Sequence, residues 1–294
     1  MRPDDRLDVV MRLHDARRLA ELQRAVFSLV GQAYRPLNVH LCVQRFTRGM
    51  ILDVQDALAP LLAMQGAPPL AILDHAERVP EDARAALANL GLAAATGRYV
   101  AFLDYDDAVY PEAYALLTAR LRRTGAAIAF AGVAAKQAEV EDDLIHVLEK
   151  SRPWSGRSLL DQFHDNCCPL HGFVMDRTIV PGDLRFDTSL CRLEDYDFLL
   201  RVCAGFRSDF GLMETVVADY YLKSDGSNST LTGASATEAN LREWQRARAA
   251  VERRRRITPV APEVQRDAGL RTPIPGLTIR GLLDRLGRPP LPIA

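Results

Sequence analysis

The sequence has little cysteine, little net charge and no long apolar run, and each shortage excludes a class of protein. Its 294 residues include only 5 cysteines, an odd number with no C-x-x-C pair, which argues against a disulfide scaffold and favours a reducing compartment. The 37 basic and 38 acidic residues leave a formal net charge of -1, so no general field attracts a nucleic-acid backbone. The longest apolar candidate, residues 126–135, is shorter than the roughly 20 residues that span a bilayer. We therefore expect no nucleic-acid partner and no transmembrane segment.

The first residues also lack the charged, apolar and small-residue succession of a signal peptide. Together with the cysteine usage, this predicts a cytoplasmic protein. Hydrophobic residues make up 48% of the chain and charged residues 26%, as in ordinary globular proteins. A chain of this length can build a core without help from a disulfide or a structural metal.

Apolar runs alternate with helical spacing through the first hundred residues. Strands are predicted at 7–13, 37–43, 69–73 and 99–103, and helices at 17–30, 51–64 and 80–95. Such alternation is typical of an α/β fold, so we predict a mainly parallel sheet with helices on both faces.

The second half of the chain is less regular. We predict helices at 111–123, 158–164 and 194–204 and strands at 126–133, 169–177 and 214–222. Composition then changes, which divides the chain into a domain over 1–232, a C-terminal helix over 233–256 and a Pro- and Arg-rich tail over 257–294. We expect the α/β core to be complete before residue 257. The apolar residues of the tail, such as Leu277 and Leu282, would pack on the body or on a partner.

An acidic turn, Asp104-Tyr105-Asp106-Asp107, directly follows the apolar strand YVAFL. Ligands of open α/β sheets bind at the carboxyl ends of strands, and crowded carboxylates repel each other unless they share a cation. A hard divalent ion completed by diphosphate oxygens would relieve that repulsion. The alternative is an acidic turn that caps the following helix.

A second acidic cluster, Glu194, Asp195 and Asp197, opens an apolar helix. These carboxylates could simply stabilise the N-terminus of the helix. The functional interpretation is that one of them faces a cleft and acts as a general base.

Both acidic clusters carry a family resemblance. The run RAALANLGLAAATGRYVAFLDYDDAVYP at 84–111 resembles the central signature of family 2 glycosyltransferases, whose metal motif follows an apolar strand. The downstream LEDYDFLLR at 193–201 is similar to the E-D motif of that family, and YYLKSDGSNST at 220–230 resembles a loop after its last strand. The resemblance implies a GT-A fold, with a nucleotide-binding half over 1–110 and an acceptor half over 111–232. It also implies an inverting glycosyltransferase of glycan biosynthesis.

The resemblance assigns expected roles residue by residue. Asp104 matches a carboxylate near the nucleotide ribose, Asp106 the ligand of Mn²⁺ or Mg²⁺, Asp107 a neighbour that could also bind the ion, and Asp195 the acceptor-activating base. Leu13, His14 and Asp15 occupy the loop that contacts base and ribose, and Glu194 lies on the acceptor side. Arg84 matches a basic residue near the nucleotide, although a solvated helix arginine is the alternative. The implied donor is a UDP-, dTDP- or GDP-linked sugar, and the acceptor is a glycan, a lipid-linked group or a protein.

One departure concerns the turn after the second strand. The family usually has an acidic D-D-G-S-like turn there, whereas this chain has Gln44-Arg45-Phe46-Thr47. An amide can both donate and accept, so Gln44 could still bind the edge of a base, but the preferred nucleotide stays open. A catalytically silent GT-A domain that binds a sugar nucleotide or a partner protein is therefore the alternative function. A haloacid dehalogenase-type phosphatase would have its D-x-D on the first strand rather than the fourth.

Two further features have open interpretations. His171 could border the acceptor pocket or be a buried, hydrogen-bonded histidine. The basic run RRRR at 253–256 could contact anionic lipid at a membrane surface, or form a solvated helix face whose cations suit the helix dipole.

Overall fold

The computed structural model describes residues 5–141, 144–154, 156–223 and 237–286. Within those ranges the strands are β1 (Leu7–Leu13), β2 (Leu37–Gln44), β3 (Leu70–His75), β4 (Tyr99–Asp104), β5 (Ala108–Val109), β6 (Ile128–Glu141), β7 (Leu144–Pro153), β8 (Phe173–Asp176) and β9 (Ser208–Lys223). The helices are α1 (Leu19–Val30), α2 (Arg48–Leu62), α3 (Arg84–Ala94), α4 (Ala113–Thr124), α5 (Leu159–His164), α6 (Glu194–Gly205), α7 (Glu238–Ile257), α8 (Pro262–Asp267) and α9 (Ile279–Leu286). The predicted 220–230 loop beyond Lys223 and the boundary near 232 lie outside the described residues.

One sheet runs through the molecule in the order β3-β2-β1-β4-β8-β6-β9-β5, with β7 paired to β6. Strands β1 to β4 are parallel, which places Arg12 of β1 opposite Asp104 of β4 at their carboxyl ends. The predicted α/β class is confirmed. Parallel pairing is nevertheless confined to β1–β4 and to β6 with β9, because β8 runs antiparallel to both of its neighbours.

Alternate residues of the central strands face two apolar layers. Val9 and Met11 of β1 pack against the layer that contains α1, α2 and α4. Val10 and Phe102 face the opposite layer, which contains α3 and α6. This two-sided burial explains why β1 and β4 are continuous apolar runs in the sequence.

The predicted tail contributes to the core. Val264 of α8 and Ile279, Leu282 and Leu283 of α9 are buried in the same apolar cluster as α6. Ile279, Leu282 and Leu283 are spaced i, i+3, i+4 and so form one face of a helix. The expectation that the core is complete before residue 257 is therefore wrong.

The basic run near the end of α7 is divided between the body and the surface. Arg254 donates a 2.6 Å hydrogen bond to Asp197, and Arg255 donates one of 2.7 Å to the Tyr196 hydroxyl. Arg253 and Arg256 are exposed. Arg254 and Arg255 thus anchor α7 to α6. Contact of the run with a membrane surface stays a prediction. Within the part of the chain that the structure describes, every helix is too short or too polar to cross a bilayer.

Candidate active site

A buried arginine joins the two acidic clusters. Arg12 donates hydrogen bonds of 2.7 Å to each carboxylate oxygen of Asp104 and one of 2.9 Å to Glu194 at the start of α6. Burial alone would raise the pKa of Asp104, but the charge and hydrogen bonds of Arg12 outweigh it and lower that pKa. The planar guanidinium suits this bidentate geometry, so Arg12 fixes the end of β4 against α6.

Asp106 faces a second cation. Its carboxylate accepts a 2.7 Å hydrogen bond from the ammonium of Lys223, which also donates to Glu21 of α1 at 3.2 Å. The Lys223 side chain is 0% exposed. Burial would lower the pKa of Lys223, but Asp106 and Glu21 outweigh it, so the pKa is raised and the ammonium stays charged.

Asp107 and His171 form a third ionic pair, and both are buried. His171 Nδ1 lies 3.2 Å from Asp107, which also accepts a 3.3 Å hydrogen bond from the backbone N–H of Tyr221. Burial raises the pKa of Asp107. Burial would lower the pKa of His171, but the neighbouring Asp107 charge raises it. The geometry is that of the buried, hydrogen-bonded histidine that the sequence left as an alternative.

Asp195 differs from these carboxylates because its hydrogen-bond donors are neutral. It is half-buried and accepts a 3.1 Å hydrogen bond from the Asn166 amide and a 2.7 Å bond from the Tyr196 N–H. Burial, helped by the charge of Glu194, raises the pKa of Asp195 to about 6. A carboxylate with such a pKa is ionised at neutral pH and still basic enough to accept a proton.

Two residues other than glycine adopt left-handed backbone conformations in the described part of the chain, and both adjoin candidate site residues. Arg45 has φ 56° directly after Gln44, and Leu193 has φ 56° directly before Glu194. A bulky residue in this region is strained, and such strain concentrates at functional sites.

The turn after β2 uses its side chains to hold a neighbouring loop. Gln44 donates a 2.7 Å hydrogen bond to the Glu81 carbonyl, and Arg45 donates 2.8 Å bonds to the carbonyls of Glu77 and Arg78. The residues that replace the family's acidic turn therefore fasten β2 to the segment before α3.

The remaining predicted nucleotide-side residues have separate local partners. His14 lies edge-on to Tyr105, with ring centroids 5.4 Å apart, and burial together with the Arg84 charge lowers the pKa of His14. Asp15 binds Arg17 at 2.8 Å, and Arg84 binds Asp82 at 2.9 Å. Leu13 is fully buried. Arg84 is thus neither fully solvated nor joined to the acidic turn by its side chain.

Three residues of this site were not predicted from the sequence. Arg12 had a visible signal, because a charge inside the apolar run LDVVMRL needs a buried partner. Lys223 gave a weaker signal at the end of the run ETVVADYYL. Asn166 gave none, since it lies in an irregular segment between α5 and β8.

Comparison with known proteins supports the resemblance. Residues 77–180 match the model of glycosyl transferase family 2, a range that contains the acidic turn. No curated protein sequence matches the chain significantly.

Solved structures with the same fold extend the match beyond that range. TarS from S. aureus superposes with a TM-score of 0.54 at 14% identity over 74% of this chain, which spans only 37% of the TarS chain. TarS 1-349 in complex with UDP-GlcNAc gives 0.53 at 13% identity over 74% of this chain and 58% of its own. The mannosyltransferase PcManGT from Pyrobaculum calidifontis, in complex with GDP-Man and Mn2+, gives 0.54 at 13% identity over 95% of this chain and 78% of its own. The predicted GT-A fold and the resemblance to family 2 glycosyltransferases are confirmed.

Proposed function

We propose that this chain is an inverting glycosyltransferase that moves a sugar from a nucleotide-diphosphate sugar to an acceptor hydroxyl. The observation that carries the proposal is that Arg12 pairs with carboxylates of both acidic clusters and leaves Asp195 without a salt bridge among the described residues. Arg12 binds Asp104 on the donor side and Glu194 on the acceptor side, while the adjacent Asp195 keeps neutral hydrogen-bond donors. The family match over residues 77–180 makes sugar transfer the coarse function that this arrangement would serve.

The donor would bind at the carboxyl ends of β1 and β4. Asp104, oriented by Arg12, would accept hydrogen bonds from ribose hydroxyls, and the loop Leu13-His14-Asp15 would contact base and ribose. Similar structures hold UDP-GlcNAc or GDP-Man, which supports a nucleotide-linked sugar and leaves the choice among UDP, dTDP and GDP as a prediction.

Transfer would be a single in-line displacement. Asp195 would accept the proton of the acceptor hydroxyl as its oxygen forms a bond to the anomeric carbon. The bond from that carbon to the diphosphate breaks, and its electron pair leaves with the nucleoside diphosphate. General-base assistance of this kind contributes roughly 10²–10⁴-fold to rate.

The predicted Mn²⁺ or Mg²⁺ does not fit the side chains around Asp106 well. Carboxylates are suitable ligands for these ions, and a Mn²⁺ complex of PcManGT supports the prediction. Here, however, Lys223 binds one oxygen of Asp106, and His171 lies 3.2 Å from Asp107, so an ion on either carboxylate would lie beside a basic side chain. The described residues contain no group of three or more His, Cys, Asp or Glu side chains that could hold a metal.

The alternative of a catalytically silent sugar-nucleotide domain has one observation in its favour. The Gln44 amide N–H donates to the backbone carbonyl of Glu81, so this donor holds the loop before α3 and is not available to a nucleotide base. Silent binding and catalysis differ in turnover. The phosphatase alternative finds no such support, because the acidic turn follows β4 rather than β1.

The deciding experiment compares wild type with Asp195→Asn and with Asp183→Asn. Asp183 is the control, because it is an exposed aspartate in the segment before α6. Calorimetry would measure UDP, dTDP and GDP binding, and mass spectrometry would detect transfer from the matching sugar nucleotides to a panel of acceptors. We expect Asp195→Asn to bind nucleotide within a few-fold of wild type and to lose roughly 10²-fold or more in kcat. Nucleotide binding without turnover on any acceptor, even in wild type, would favour the silent domain.

A further inference from the structure

Three cationic side chains lie around Asp106 and its neighbour Glu21. Lys223 binds both Asp106 and Glu21, and Arg18 binds Glu21 at 3.2 Å. Arg24 donates a 2.6 Å hydrogen bond to the backbone carbonyl of Asp106. We call these five residues the Asp106 charge cluster.

The cluster is assembled from three parts of the chain that meet at the carboxyl edge of the sheet. Arg18 directly precedes α1, and Glu21 and Arg24 lie in its first and second turns. Asp106 follows β4, and Lys223 ends β9. That edge is where open α/β sheets bind their ligands.

Arg24 has the chemistry to meet a phosphate. Its guanidinium lies 4.6 Å from the centre of the Tyr221 ring, which holds it beside Asp106. Its Nε is buried and has no hydrogen-bond partner within the described part of the chain. A guanidinium offers several N–H donors in a planar fork that matches phosphate oxygens.

A divalent ion on Asp106 would lie beside the Lys223 ammonium. The Lys223 ammonium lies 2.7 Å from Asp106 Oδ2. An ion on either oxygen of that carboxylate would lie close to the ammonium, and the two cations would repel each other. Removing the ammonium instead would uncover a carboxylate that an ion could take.

We propose that Lys223 and Arg24 supply the positive charge that a divalent ion would otherwise bring to the leaving diphosphate, so that this chain binds nucleoside diphosphates without metal. The inference rests on the proposed function, because it takes the donor to be a nucleotide-diphosphate sugar. Fixed cations aimed at a developing negative charge stabilise it without reorganisation during the reaction.

The test is calorimetry with UDP and GDP, in EDTA and in Mn²⁺, on the full chain. Variants are Lys223→Gln, Lys223→Arg, Arg24→Gln and the exposed control Arg123→Gln, with thermal unfolding to verify that each one folds. We expect wild type and Arg123→Gln to bind within about threefold in the two media. Lys223→Gln and Arg24→Gln should bind roughly tenfold or more weakly in EDTA, as expected for loss of a charged hydrogen bond. Lys223→Arg keeps the charge and should recover most of the affinity.

Manganese binding gives a second, independent readout. In the presence of UDP, electron paramagnetic resonance should show Mn²⁺ still free with wild type and bound with Lys223→Gln, whose Asp106 is uncovered. Wild-type binding that requires Mn²⁺ would overturn the inference and leave the proposed function standing, as would unchanged affinity of Lys223→Gln in EDTA. If wild type binds neither nucleotide in either medium, the proposed function fails and this inference fails with it.

Discussion

The carboxylates at the proposed donor edge and at the proposed acceptor edge of the site have opposite kinds of hydrogen-bond partner. On the donor edge, Asp104, Asp106 and Asp107 each lie against a basic side chain. On the acceptor edge, Asp195 receives hydrogen bonds from a neutral amide and a backbone N–H. A paired carboxylate anchors charge and geometry, whereas one without a salt bridge keeps its basicity. Under the proposed function, this difference would separate donor binding at one edge from proton transfer at the other.

Glu194 is directly next to Asp195 in the sequence, yet it is paired with a basic side chain like the carboxylates of the proposed donor edge. It is buried and receives a 2.9 Å hydrogen bond from Arg12. Its negative charge is therefore committed to holding the start of α6. Of the two adjacent acids, only Asp195 combines burial with neutral donors, which identifies it as the proposed base.

The largest expected effect comes from removing the residue that links the two edges. Arg12→Met leaves Asp104 and Glu194 without their cation. Breaking a buried ion pair costs about 3–5 kcal/mol, and we expect the lower end of that range because the Asp104 side chain is 27% exposed. Urea unfolding should show that loss against the exposed control Arg123→Met. Adding Glu194→Gln to Arg12→Met should restore part of the stability, because one unpaired charge is removed. A loss near zero for Arg12→Met would show that the two edges are held together by other contacts.

The partners of Arg12 also mark the limit of sequence-based reasoning. The apolar runs predicted β1 and β4 closely, because strands buried on both faces carry an unbroken apolar signal. The acidic turn could be located because it ends such a strand. The partners Asp104 and Glu194, 92 and 182 residues from Arg12, could not be predicted from the run that contains it, since pairing depends on the folded sheet.

Other helices and strands could not be predicted correctly from the sequence, for different physical reasons. The β6–β7 hairpin is held by cross-strand pairing, and only residues 126–133 of it were predicted as a strand. The predicted strand at 169–177 shortens to Phe173–Asp176 because the Gly172 N–H bonds to the Pro169 carbonyl and forms a turn. α9 is short, and its apolar face becomes visible as core only when it meets α5 and α7.

A smaller effect should follow from altering the neutral donor of the acceptor edge. Asn166→Ala removes one hydrogen bond from the charged form of Asp195 and should lower kcat roughly tenfold, with little change in donor KM. Because that bond favours the ionised carboxylate, its loss should also move the acidic limb of the kcat profile to higher pH. Asn166→Gln keeps an amide and should recover part of the rate. Equal kcat in wild type and Asn166→Ala would show that the amide does not position the base.

The smallest expected effect concerns pH in the wild-type enzyme. Burial raises the pKa of Asp195 to about 6, so the carboxylate is largely ionised at pH 7 and above and becomes protonated as pH falls through 6. Only the ionised form accepts a proton, so kcat should be flat from pH 7 to 8 and about half of its plateau near pH 6. Steady-state rates with saturating donor measure this limb, and samples returned from pH 6 to pH 7.5 must regain full activity to exclude unfolding. A limb near pH 4, the range of an ordinary aspartate, would mean that Asp195 is solvated in the working enzyme, and the contrast between the two edges would then lose its electrostatic basis.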